Sequence, residues 1–538
     1  MNKIFEKPLY PYRRHADQNK MPPAHHPVVI VGAGPVGLCA AIDLAQREID
    51  VLVIDENDKV SFGSRAICFA KRTLEICDRL GIGDKLISKG VQWNLGKVFF
   101  DERQVYEFNL LSEDDHKQPA FINLQQYYLE VYLVERIREL QILGARIDIR
   151  GETYLSEITQ TDTAAQLSMK TPDGFYEITS DWVIACDGAN SPIRSMLGLD
   201  FVGRVFEDNF LIADVTMDAH FPTERWFWFD PPFNRGQSAL LHKQPDGVWR
   251  IDLQLGCNID KEEEKKPKKV IPRLRAMLGK NVDFDLEWVS IYSFQCRRME
   301  QFLHGRIIFA GDSAHQVSPF GARGANSGIQ DVDNLCWKLS AVVQKNAPAS
   351  LLQTYNTERV FAANENILNS TRSTDFITPK SGISRLFRDA VLELAEKYPF
   401  AQPIVNSGRL SIPACYSKSN IFGPNDLDGP QASYPGRPCP DANIGPKTFL
   451  LESLSHGFTL LSINQDPTVT ITESGATITH LSVKAGSDEN TSLAKRYLGA
   501  QKMAIYLIRP DQYIAARWAK FDETEIRYSI RVSLGYVV

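Results

Sequence analysis

Glycine and a carboxylate come together at three places in this sequence, each at the end of an apolar run. Gly32-Ala33-Gly34-Pro35-Val36-Gly37 follows the apolar residues 28–31 and opens a stretch, 35–46, whose pattern predicts a helix. In such a turn the first glycine permits the tight bend and the second lets a pyrophosphate reach the backbone. The third lets the helix pack closely on the strand. The next apolar run, 51–54, ends in Asp55, 18 positions after Gly37, where a carboxylate suits a pair of ribose hydroxyls. Its neighbour Glu56 is the alternative acceptor. Strand, glycine turn, helix and acid in this order predict dinucleotide binding.

Asp187-Gly188 follows the apolar residues 182–186 and begins the pattern DGxxSxxR, which ends at Arg194. Gly311-Asp312 follows residues 306–310 and leads through a loop rich in Gly, Pro and Ser, past Pro319, to Gly324-Ala325-Asn326. Beyond it Ile329, Val332, Leu335, Cys336 and Leu339 recur at helical spacing. A helix start behind a glycine loop suits an anion or an electron-rich ring, because its free amides and dipole favour negative charge. A single fingerprint with two later glycine turns matches a long cofactor held along its whole length, which favours FAD over NAD. No histidine or cysteine lies in an attachment motif, so non-covalent FAD is expected.

Positioning these turns requires one sheet whose strands all end on the same side, with the ligand at their carboxyl ends. The expected fold is therefore α/β, with a Rossmann-like FAD-binding domain made of residues 1–210 and 291–400. Residues 211–290 are rich in aromatics that alternate as antiparallel strands do, and read as an inserted sheet layer for the substrate. Within it the charged run KEEEKKPKK (261–269) reads as a solvated loop. Residues 401–445 shift to Pro, Gly, Ser and Asn, a linker composition, and 446–538 suffice for a small α/β domain.

Length and composition exclude several classes. At 538 residues, with 43% hydrophobic and 23% charged, the chain reads as a globular enzyme of two or three domains. A net charge of −6 predicts neither a nucleic acid nor an anionic membrane as partner. The nine cysteines are scattered without a CxxC pair, as in reduced cytoplasmic proteins, and the first twenty residues lack the apolar segment of a secretion signal. His15, His25 and His26 have no Cys or carboxylate at ligand spacing, so no metal is expected.

The three motifs, in this order and spacing, resemble the single-component flavoprotein aromatic hydroxylases, the class A monooxygenases, over nearly the whole chain. The tail, with 507–513 and Arg517-Trp518, is similar to the thioredoxin-like C-terminal domain of the phenol hydroxylase subgroup. The resemblance implies packing or a homodimer contact for that domain. It implies that Asp312 and Gly311 meet the ribityl or pyrophosphate part of FAD, and that Pro319 lies beside the isoalloxazine. The amides of Ala325 and Asn326 would face its pyrimidine edge, and Asp187, Arg65 and Gln126 would also contact the cofactor. The implied reaction uses NADH or NADPH and O2 to hydroxylate a small aromatic, phenolic substrate through a flavin hydroperoxide.

On the substrate side His242, Arg250, Asp252 and Gln254 alternate onto one strand face, and His242 and Asp252 are the candidates to act on a phenol. The chain departs from phenol hydroxylases at Ile67, where they carry an acid, and near Asp252, where they use a tyrosine. Two other chemistries are weighed and set aside. Ser313-Ala314-His315 lacks the GxSxG elbow of a hydrolase, and RWFWFDPP (225–232) lacks the Ile-Pro that follows the tryptophans of flavin halogenases. The competing readings are an oxidase or halogenase on this scaffold and a redox-sensing flavoprotein.

Overall fold

In the computed structural model, which describes residues 7–536 apart from 62–64, 112, 220, 280, 406–409, 470 and 486–490, the first sheet has a parallel spine. Its strands run in the order Ile307–Phe309, Gly174–Ala185, Ala24–Val31, Val51–Ile54 and Ile147–Arg150. Three runs far apart in sequence thus lie side by side, as their matching glycine ends predict. Val28, Val29, Ile30, Val183 and Ile184 have no exposed surface. Strands covered on both faces need such unbroken apolar runs rather than alternation. Helix Pro35–Gln46 packs against both Gln126–Ile142 and Gly324–Val343, and its bounds match those read from the sequence.

A second sheet stands beside the first, in the order His315–Gln316, Phe284–Arg298, Val202–Met217, Val248–Gly256, Ser238–Lys243, Arg225–Phe229, Leu95–Phe100, Arg103–Asn109. It is wider than the layer expected from 211–290. The strands at 202–217 and 284–298 overrun those limits, and 95–109 joins from far upstream through a parallel pairing with Arg225–Phe229. The KEEEKKPKK run also differs from expectation, forming a short helix Lys261–Glu264 and then Pro267–Leu278. Asp260 caps the first by accepting from the Glu262 and Glu263 amides, and Pro267 starts the second where a missing N–H costs nothing.

Residues 443–533 include a third sheet in which Phe458–Ile463 pairs in parallel with Ala476–Val483 and antiparallel with Ala504–Ile508, followed by Ile514–Trp518 and helix Glu523–Ser533. The segment expected as a linker is packed instead. Tyr416, Ile421, Leu427 and Cys439 are buried, and Asn425–Asp426 extends the third sheet at its edge. Among the described residues no helix is long and apolar enough to cross a membrane.

The third sheet is fastened to the first domain through buried charge. Arg72 donates to Asp333 (3.1 Å), to the Asp511 carbonyl (2.7 Å) and to the Gln512 side chain (3.0 Å). Glu358 accepts from Arg509 at 2.9 and 3.1 Å, from Lys338 at 2.9 Å and from Asn334 at 2.6 Å. The Arg509 and Lys338 cations hold the Glu358 carboxyl far below its usual range against the opposing effect of burial. Such a network costs desolvation but fixes one relative placement of its members.

Candidate active site

The parallel spine delivers all its turns to one end. The Gly32 amide donates to the Ile54 carbonyl (2.8 Å), Cys186 to Val31 (2.8 Å) and Ala310 to Ala185 (3.0 Å). Gly32 has φ +109°, and a Cβ there would lie 2.3 Å from the Cys186 carbonyl oxygen. At Gly37 a Cβ would lie 1.9 Å from the Gly32 oxygen. These two glycines are demanded by the protein's own packing. Gly34 is different, since a Cβ there would meet nothing within 4 Å. It is the N-cap of helix Pro35–Gln46, which has no side-chain cap hydrogen bond. An uncapped helix start beside such a glycine suits an anion.

Asp55 does not stand free for a ribose. Its Oδ2 accepts from the Ala33 amide (2.6 Å), and its Oδ1 from the Asn57 amide (2.8 Å) and side chain (3.1 Å). It fixes the glycine turn, and one lone pair of Oδ2 remains for a ligand hydroxyl. Glu56 is exposed and has no hydrogen bond among the described residues.

Asp187 places one oxygen on the Ser191 hydroxyl (2.7 Å) and the Ile193 amide (3.1 Å), capping the short helix Pro192–Met196. Its other oxygen is buried without a partner, and burial raises the carboxyl above its usual range. Arg194 explains the far end of that motif: it donates to the Ser313 carbonyl (3.0 Å) and the Ala189 carbonyl (2.9 Å), tying the second glycine turn to the third. Asp312 is exposed and without a hydrogen bond among the described residues, while the surrounding protein raises its carboxyl.

Gly311, at φ +68°, lies against Val36, its own amide held by Asp331 Oδ2 at 2.9 Å. That buried aspartate also accepts from His315 (2.7 Å) and Arg359 (2.6 Å). His315–Gln316 then pairs with Arg297 and Arg298 of the second sheet. Residues 307–316 therefore cross from one sheet to the other, and 319–328 run from there into the helix.

Gln126 and Arg65 divide their roles. Gln126 accepts from the Ala66 amide (3.0 Å) and donates to Glu130 (2.8 Å), which in turn holds Ser61 at 2.6 and 2.9 Å. It shapes the loop that carries Arg65, whose exposed side chain is left for a ligand. The Asn326 side chain is fully committed. It accepts from the Ala70 amide (2.9 Å) and the Thr73 hydroxyl (2.6 Å), and donates to the Cys68 (2.8 Å) and Ala322 (2.6 Å) carbonyls. Only the main chain at Gly324, Ala325 and Asn326 remains to face a ring. Pro319 is exposed beside them.

On the second sheet the four predicted residues share a face but not a role. Gln254 is spent on Ser238 (3.0 Å) and Asp208 (3.1 Å). Arg250 pairs with Asp214 (3.0 Å) and donates to the Arg65 carbonyl (3.3 Å). His242 Nδ1 and Asp252 Oδ1 are buried without partners. Burial, with Arg225 and Arg250 adding to it, keeps the His242 imidazole neutral. Burial pushes the Asp252 carboxyl up to about 6, opposed by Arg250 and Arg225 and reinforced by Asp214. A pocket opens on this face between Phe108, Phe227, Phe229 and Phe320, with Gly321 and Arg225 in its wall.

A sequence-family profile described as "FAD binding domain" matches residues 25–370. The chain belongs to that family. The open space beside Gly34, the orphaned Asp187 oxygen and the unpartnered Asp312 suit this cofactor. Among curated relatives, 6-methylpretetramide 4-monooxygenase of Streptomyces rimosus is 32% identical over 352 residues, 64% of this chain and 61% of that protein. The 3-(3-hydroxy-phenyl)propionate/3-hydroxycinnamic acid hydroxylase of Escherichia coli K12 is 28% identical over 376 residues, 69% of this chain and 66% of that one. The chain thus matches just under two thirds of these relatives' own length. Over 95% of this chain and 98% of the other, the fold follows the flavin-dependent monooxygenase PieE in complex with FAD and substrate, with TM-score 0.78 and 20% identity. The rebeccamycin biosynthetic enzyme RebC with reduced flavin gives TM-score 0.73 at 21% identity, over 96% and 100%.

Proposed function

We propose that this chain is an FAD-dependent monooxygenase that uses NADH or NADPH and O2 to hydroxylate a small aromatic, phenolic substrate. One observation carries the reading: Phe320 and Gly321, on the segment that leads into the helix start at Gly324, line an aromatic-walled pocket on the second sheet. The activities of the two curated relatives support it.

Gly34, Val36 and Gly37 would hold the pyrophosphate, Asp55 or Glu56 the ribose, and Arg65, Asp187, Gly311 and Asp312 the middle of FAD. Once bound and reduced by NAD(P)H, FAD supplies activation of O2 for transfer to an aromatic ring. This chain's residues provide the rest. The Gly324-Ala325-Asn326 helix start favours negative charge at the ring it faces. Pro319 and Phe320 exclude water between cleft and cavity. Asp252 takes the phenolic proton, a task for which a carboxyl near 6 is suited. Neutral His242 beside it is free to accept a hydrogen bond through Nδ1. The strand order of the C-terminal sheet supports the thioredoxin-like reading, and its buried charges support a packing role. Nine free cysteines support a cytoplasmic setting.

The test is direct. The purified protein is yellow and releases FAD, not FMN, on acid precipitation. A phenolic panel contains compounds that stimulate NADH or NADPH oxidation and gain one oxygen atom. Loaded protein with no stimulated oxidation across the panel leaves the redox-sensing alternative in its place.

A further inference from the structure

Resting on that reading, we propose that the cavity beside residues 319–321 takes an aromatic substrate bearing a carboxylate, and that Arg225 holds that carboxylate. Arg225 begins the strand Arg225–Phe229 and is only 8% exposed. A guanidinium carries five N–H donors and stays charged at every physiological pH. Among the described residues none of these donors has a hydrogen-bond partner. Other arginines as deeply buried are paired: Arg72 with Asp333, Arg359 with Asp331, Arg509 with Glu358. On the same face Arg250 has Asp214. A buried cation without a partner is strongly disfavoured unless a ligand or solvent supplies one.

The groups around Arg225 do not supply it. Cys68 is neutral, its thiol pushed up to about 11 by burial, and His242 is neutral as well. Asp252 lies near enough to feel the charge but forms no hydrogen bond with it. The other cations of the cavity wall face elsewhere: the Lys97 ammonium pairs with Glu224 at 2.9 Å, and Arg323 donates to Asn366 at 3.0 Å. What remains is a planar, forked donor at one end of a cavity walled by Phe108, Phe227, Phe229 and Phe320. Aromatic walls select a ring, and the fork matches a carboxylate better than a hydroxyl.

Matched probes test this on the FAD-loaded protein. 3-(3-Hydroxyphenyl)propionate and 3-hydroxybenzoate are titrated calorimetrically beside their primary amides, with NAD(P)H oxidation followed in parallel. In the wild type at least one acid binds about tenfold or more tightly than its amide. Arg225→Gln removes the preference by weakening the acid and leaving the amide nearly unchanged, and Arg225→Lys retains part of it. Acids no tighter than amides, no binding of any probe, or a preference that survives in Arg225→Gln each overturn the assignment. If Arg225→Gln does not hold FAD, the wild-type ratio and Arg225→Lys decide. A neutral phenol that stimulates oxidation without any acid preference leaves the monooxygenase reading intact and removes the carboxylate subsite. An acid preference without stimulated oxidation does the reverse.

Discussion

Asn326 offers a substitution of nearly constant shape whose cost can be worked from its four hydrogen bonds. In Asn326→Asp the Oδ1 contacts to the Ala70 amide and the Thr73 hydroxyl survive. The Nδ2 donor is replaced by an oxygen that faces the Cys68 and Ala322 carbonyls at 2.8 and 2.6 Å. Two buried carbonyls lose their partner, at about 1–3 kcal/mol each, so the ionised variant is destabilised by about 2–6 kcal/mol. Uptake of a proton restores one donor and roughly halves that loss. Burial and two facing carbonyls raise the new carboxyl's folded-state pKa above its unfolded value of about 3.9.

The sign follows from that shift. A raised folded pKa means the penalty is smallest at low pH, where both states are protonated. The penalty grows by up to about 1.4 kcal/mol per pH unit until the folded-state group ionises. The assay is the temperature at which flavin is released, compared between wild type and variant at about pH 4, 5, 6 and 7, the window in which the gap grows before it levels off. The expected record is a lower release temperature for the variant, with a gap that widens as pH rises. A variant as stable as wild type at neutral pH, or a gap independent of pH, refutes the argument that Asn326 clamps residues 68–70 to the helix start.

Three further outcomes are expected. Gly34→Val folds normally, because its side chain enters open space, yet weakens FAD binding at least about tenfold; Gly37→Ala, with a Cβ 1.9 Å from the Gly32 oxygen, fails to fold. Circular dichroism and FAD titration separate the two. Asp252→Asn abolishes a rise in substrate-dependent NAD(P)H oxidation that the wild type shows as pH increases through about 6. Because the folded pKa is raised, the same change spares the protein a stability loss that accrues between about pH 4 and 6 and is constant above, which thermal unfolding measures. Glu358→Ala leaves Lys338 buried without its carboxylate and Arg509 with Asp511 alone, a loss of about 3–5 kcal/mol. Limited proteolysis then cuts the C-terminal domain free faster than in wild type.

Features set by short-range pattern were legible beforehand. The glycine turn, the helix from Pro35 to Gln46 and the gathering of three distant strands follow from apolar runs ending in Gly or Asp. Features set by long-range pairing were not. Nothing in 95–109 announces a parallel partner at 225–229, and a charged run such as 261–269 reads as loop until Asp260 and Pro267 are recognised as helix starts. At the site, residue type predicted location better than task. Asp55, Gln126, Arg250 and Gln254 all bond groups of the protein itself. Arg225 was hidden inside an aromatic run. The available signal was alternation, which puts Arg225, Phe227 and Phe229 on the same side as His242 and Asp252. Side-chain saturation cannot be read from spacing, because it depends on partners such as Cys68 and Ala322, which lie in other parts of the chain.

The buried charges that fasten the third sheet also set the order in which this chain can mature during synthesis. Arg72 emerges from the ribosome 439 residues ahead of the Asp511 carbonyl that it must reach, and Glu358 precedes Arg509 by 151. Until residue 512 is made, Arg72 has Asp333 and Glu358 has Lys338 and Asn334, but the contacts that close the network are missing. Helix Gly324–Val343 supplies Asp333, Asn334 and Lys338 to this network, which closes only when Arg509 and Asp511 arrive. A nascent chain waiting in this condition exposes apolar strands for the time needed to translate the remainder, a window in which chaperones and proteases compete for it.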